Sequence, residues 1–107
     1  MKKIIFIFVF SFFTSFLIAG PNLDRIIGDV ISGNSLEAQQ KIQVLLDDYP
    51  NNGDVLYLQA LLISDGNDAV EIYKKIYKMH KNNKYADDAV MKIGEYYYVS
   101  GLYIQAA

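Results

Sequence analysis

Tyr85-Ala-Asp-Asp-Ala-Val-Met-Lys-Ile-Gly-Glu-Tyr-Tyr-Tyr-Val-Ser-Gly-Leu-Tyr-Ile-Gln-Ala-Ala107 is the stretch whose reading decides the fold. Ile93, Gly94, Tyr97, Gly101, Tyr103 and Ala106 are spaced as in two short helices joined at Gly101. Each helix carries one small residue, Gly94 on the first and Ala106 on the second. Asp87 and Asp88 fall at the start of the first helix, where negative charge meets the positive end of the helix dipole. Tyr96-Tyr97-Tyr98-Val99 alone resembles a strand, but it lies inside a longer three-four period, which specifies helix.

Upstream, the chain divides into segments of the same kind. Breaks fall at Ser32-Gly-Asn-Ser35, Tyr49-Pro-Asn-Asn-Gly53, Asp65-Gly-Asn67 and His80-Lys-Asn-Asn-Lys84. The first segment, Leu23 to Ile31, has Leu23, Ile26, Ile27, Val30 and Ile31 on one face. In the second, Leu36 to Tyr49, the apolar face is Leu36, Ile42, Leu45, Leu46 and Tyr49, with Ser35 as expected N-cap. Asp54 is the expected cap of the third, Asp54 to Ser64, which is apolar almost all round and so is predicted to be the most buried. The fourth, Asn67 to Lys81, sets Ala69, Val70, Ile72, Tyr73, Ile76, Tyr77 and Met79 against a solvent face of Lys74, Lys75 and Lys78. Ala86 to Val99 is the fifth, and a sixth begins at Leu102. The expected fold is therefore all-α.

The N-terminus has a different character. Met1-Lys-Lys precedes an apolar run from Ile4 to Ile18, followed by Ala19-Gly20-Pro21. Positive residues, a short apolar run and small residues at its end predict a secretory signal peptide over residues 1–20. The run is shorter than the roughly twenty residues of a full membrane span. No cysteine occurs, which excludes disulfides, thiolate metal sites, a cysteine nucleophile and a lipid-modified cysteine after the signal. The chain is thus not expected to be a lipoprotein. Residues 21–107 keep all twelve acidic residues and eight of the ten basic ones, a net charge of −4. That gives no electrostatic footprint for nucleic acid.

The segments repeat. Ala38, Ala69 and Ala106 are 31 and then 37 residues apart, a mean of 34, and each stands a few residues after a glycine, Gly33, Gly66 or Gly101. A 34-residue helix-turn-helix period is that of the tetratricopeptide repeat, and residues 22–107 resemble this family. The resemblance implies antiparallel helical hairpins stacked as a right-handed solenoid. The expected repeats run from about 22–51, 53–84 and 85–107, the last incomplete. Ala60 and Gly94 take the small position on the first helix of a hairpin, where a larger group would push helices beyond their normal separation of about 8–10 Å. Ala38, Ala69 and Ala106 take the matching position on the second. Gly33 and Gly101 are expected in turns, where positive φ is cheap only without a Cβ. Pro50 ends a repeat, because proline cannot continue a helix. Tyr73, Tyr97 and Tyr103 are expected to fill space between hairpins.

The register is irregular. The first repeat lacks the small and aromatic residues of its first helix, and the second has a short turn and Lys81 where proline is expected. Such divergence, with "NNKYADDA" and "KIGEYYYVSGLYIQAA", is similar to outer-membrane-assembly and Tol-Pal-associated repeat proteins. The family register places Tyr57, Leu61, Met91, Glu95 and Tyr98 on the concave, partner-binding groove. Leu102, Tyr103 and Ile104 fall where a polar capping helix is normal, so the sequence leads us to expect further repeats and self-association through this uncapped edge.

No constellation points to catalysis. His80 is the sole histidine and has no second His or Cys to share a metal. Asp47-Asp48 and Asp87-Asp88 are helix neighbours that diverge by about 100°, unlike convergent acid/base pairs. Asp65-Gly-Asn-Asp68 lacks the alternating ligands and closing Glu of a calcium loop. Phosphate loops and hydrolase motifs are missing, and Arg25 is the sole arginine. We expect a non-enzymatic protein-interaction scaffold of the cell envelope, without cofactor or metal, that meets the membrane only through its signal. The alternative is a spacer or oligomerisation unit beside a further domain, such as a peptidoglycan-binding one.

Overall fold

The computed structural model describes residues 20–106, with side chains placed through residue 101. The expected signal peptide lies outside the described residues except for Gly20. Five helices follow one another: α1 (Asp24–Ile31), α2 (Leu36–Asp48), α3 (Gly53–Leu62), α4 (Gly66–Met79) and α5 (Ala86–Ala106). The described residues contain no strand and are all-α.

Local chemistry sets the helix ends. After α1, Gly33 adopts φ +101°, the left-handed conformation that favours glycine. Its N–H donates to the Val30 carbonyl at 3.0 Å, and that of Asn34 donates to Asp29 at 2.8 Å. These two bonds form a Schellman stop. The helix begins at α3 one residue earlier than expected, because Asn52, not Asp54, is the cap. Asn52 Oδ1 accepts from the Val55 N–H at 3.1 Å. Asp54 lies within the first turn instead, and its Oδ1 accepts from Asn83 Nδ2 at 2.7 Å. Asp65 caps α4 by accepting from the N–H groups of Asn67 and Asp68. Ser35 holds the N-cap position of α2, but its hydroxyl accepts from Gln39 Nε2 and makes no backbone cap.

One boundary departs from the sequence reading in kind. The expected turn at Gly101 is absent, and α5 runs through it as one 21-residue helix. A glycine inside a helix costs only about 1 kcal/mol. A turn forgoes intrahelical hydrogen bonds and must be offset by packing of a following helix. A Cβ on Gly101 would meet nothing within 4 Å, and the residues from Leu102 to Ala106 are all compatible with helix.

The core centres on α3. Val55 and Leu58 are fully buried, and Leu56, Tyr57 and Ala60 nearly so. Ile26 and Ile27 of α1, Ala38 of α2, Tyr73 and Ile76 of α4, and Ala89 of α5 close around them. Each helix packs on the next through a short turn, and α1 also touches α3. Arg25 of α1 grips Glu37 of α2 with two parallel bonds, Nη1 to Oε1 at 2.9 Å and Nη2 to Oε2 at 2.7 Å. Lys41 adds a third at 2.9 Å. The hydrogen bonds from Arg25 and then Lys41 hold the Glu37 carboxyl down at about 2.

Candidate functional site

The five residues assigned to the groove do not share one environment. Met91 and Tyr98 of α5 are 63% and 69% exposed. They are seven residues apart, about two helical turns, so they lie on the same side of the helix. Glu95 stands between them, exposed, 3.8 Å from Lys92. Leu61 of α3 is half-buried against the core.

Tyr57 is the correction: it is only 2% exposed and forms part of the core. The Tyr85 ring stacks on it at a centroid separation of 4.6 Å and an interplanar angle of 7°. Tyr73 also approaches it, at 5.9 Å and tilted by 57°. Burial raises the Tyr57 phenol and pushes that of Tyr73 up to about 12. The three tyrosines end at an ion cluster. Tyr85 Oη donates to Asp24 Oδ1 at 2.7 Å, and Lys84 Nζ reaches both Asp24 oxygens at 2.8 Å. Bonds from Lys84 and then Tyr85 lower the Asp24 carboxyl. Burial and then the Asp24 contact raise the Tyr85 phenol.

The packing residues also divide. Ala38, Ala60 and Ala69 are buried, as is Tyr73. Gly33 makes its turn and Pro50 follows the end of α2. Gly94 is not a close crossing: a Cβ there meets nothing within 4 Å. Tyr97 is not an inter-helix filler but is 51% exposed, with Lys74 Nζ lying 5.3 Å from its ring centroid. Tyr97 thus meets α4 only at its rim, through Lys74, and Gly94 faces open space. Gly101 is helical, and the side chains of Tyr103 and Ala106 lie outside those described.

Close approaches occur at Gly53 and Gly66, neither of which the sequence assigned to helix packing. A Cβ on Gly53 would come within 2.5 Å of Asn83 Nδ2, and one on Gly66 within 2.8 Å of the Tyr96 ring. The Tyr96 hydroxyl donates to Asn67 beside Gly66. A glycine next to a capping asparagine or aspartate was the one available signal, and it marks the helix start more directly than the contact.

A polar crevice of about 450 Å³ opens between the turn before α3 and the turn after α4. Asn51, Asn52, Gly53 and residues 79–83 line it. His80, the C-cap of α4, is half-buried, and its Nε2 has no hydrogen-bond partner among the described residues. No three His, Cys, Asp or Glu side chains among the described residues converge as metal ligands do.

The molecule thus defines a class, an all-α protein of consecutively packed helices. Compared with known proteins, the chain matches no family model, no curated protein and no solved structure.

Proposed function

We propose that the protein is an exported, non-enzymatic scaffold of the bacterial cell envelope, binding protein partners through a right-handed solenoid of tetratricopeptide-like hairpins. The observation that carries this reading is the exposed face of α5, where Met91, Glu95 and Tyr98 stand beside Val90 and Tyr97. Scattered single apolar residues are ordinary on a protein surface, but a cluster along one helix marks a contact. A thioether and two phenols on a pre-ordered helix suit the apolar side of a partner helix or an extended peptide. Ordering the face in advance lowers the entropy lost on docking.

Export rests on the N-terminal sequence. No described helix is long and apolar enough to cross a membrane. The single arginine is already held by Glu37, which leaves no free guanidinium for phosphate.

Affinity capture from periplasmic extract tests the proposal, comparing the full chain with Met91→Ala/Tyr98→Ala at equal helicity. Loss of one envelope protein from the variant supports the face. Equal capture by both moves binding elsewhere.

A second reading, an oligomerisation unit, is favoured by the open space above Gly94, which would admit another helix closely. Sedimentation velocity distinguishes it, through self-association that the same double variant abolishes.

A further inference from the structure

We infer that Tyr85 is an autoinhibitory lid over Tyr57, latched by Asp24 and Lys84, so that an aromatic site on α3, separate from the exposed face of α5, is closed in this structure and opens when the latch releases. The inference deepens the scaffold reading and rests on it for the purpose of opening, though not for the opening itself.

Four observations converge. Tyr85 immediately precedes α5, its carbonyl accepting from the Ala89 N–H at 2.9 Å and its N–H donating to Asn83 Oδ1 at 2.8 Å, so the lid is its side chain alone, swinging on a fixed backbone. Its ring lies flat on Tyr57, at 7° and 4.6 Å, and covers it. The hydroxyl reaches 61 residues back along the chain to Asp24, and Lys84 beside it makes the same reach. The latch itself is wet: the Asp24 and Lys84 side chains are 50% and 53% exposed. Exposed ion pairs contribute little and are screened by salt, so the latch is the weak part of a closure otherwise held by ring stacking.

The chemistry of the covered site says what would replace the lid. Tyr57 presents a ring face, Tyr73 stands beside it, and Asp24 offers the carboxylate that now holds the Tyr85 hydroxyl. The ligand that fits is a partner side chain with an aromatic ring and a donor at its tip, a tyrosine above all, because it repeats both contacts of Tyr85.

Nitration of the full chain by tetranitromethane, mapped by peptide mass spectrometry, tests the lid without any partner. In the wild type, Tyr57 is expected to react far more slowly than Tyr98. Asp24→Asn removes the charge from the bonds that Lys84 and Tyr85 make to it, which should raise Tyr57 nitration by about tenfold while helicity is retained. Tyr85→Ala should raise it further. Added salt should speed Tyr57 nitration in the wild type and have less effect in Asp24→Asn. Unchanged protection of Tyr57 in both variants overturns the lid, since other groups would then cover the ring. So does loss of helicity in Asp24→Asn, which would make the contact a fixed part of the core. Failure of partner capture with normal nitration behaviour would instead count against the scaffold reading.

Discussion

Helices α3 and α5 are built from similar residues and end in opposite environments. α3 is rich in leucine with one tyrosine, and it packs against α1, α2 and α4. α5 carries valine, methionine and a run of three tyrosines, and it packs chiefly on α4. Val55 and Leu58 are consequently sealed, while Val90, Met91, Tyr97, Tyr98 and Val99 are between 44% and 69% exposed. The number of neighbours, not hydrophobicity, decides which apolar side chains become core. The same difference separates stability from recognition, because a core side chain such as Tyr57 offers a partner no surface while its neighbours stay in place.

The largest effect that would break this comparison is a cavity in α3. Leu58→Ala should cost about 2–5 kcal/mol in urea unfolding. Tyr98→Ala should stay within about 0.5 kcal/mol. Similar costs at the two sites would show that α5 is packed more tightly than its exposure indicates.

Glycines give the next contrast. Gly53→Ala forces Asn83 off its bond to Asp54 and should destabilise by about 1–3 kcal/mol. Gly94→Ala meets open space on a helix and should stabilise by about 0.5–1 kcal/mol. Thermal midpoints moving in opposite directions would confirm the pair. A loss at Gly94 would mean that something packs on that face in solution.

A smaller effect concerns the caps. Asn52→Ala or Asp65→Ala should each cost about 1 kcal/mol. Asp54→Ala at the expected but unused cap should remove only the bond from Asn83.

How much of this was legible follows from the same physics. The first four helices, their approximate boundaries and the buried character of α3 depend on patterns within a few residues, and the sequence displays them. The caps were recognisable as capping residues, although Asn52 and Asp54 competed for one role and only geometry chose between them. Tyr57 could not be read correctly, since what buries it is a ring 28 residues later, held by a carboxylate 61 residues before that ring. Gly53 was equally hidden, because its neighbour Asn83 comes from another turn. At Gly101 the hairpin pattern was read from spacing, whereas the observed continuation of α5 depends on what packs beside it.

The smallest expected effect is in pH dependence. Glu37 is held at about 2, below its ordinary carboxylate value, by Arg25 and Lys41. Its contribution is present in full above the unfolded value near 4.5 and is lost as pH falls through the folded one. Urea midpoints should decline with acid over that window, and Glu37→Gln should flatten the decline. Because the cluster is exposed, added salt should shrink the difference between the two proteins.

The central claim, that the exposed side of α5 is where the protein meets its partner, is tested most directly by photo-crosslinking in the cell envelope. A photoreactive residue placed at position 98 is compared with one at position 44, where Val44 is exposed on α2. The account predicts a discrete crosslinked adduct from position 98, lost with Met91→Ala, and none from position 44. Equal adducts from both positions, or an adduct from position 44 alone, would contradict it.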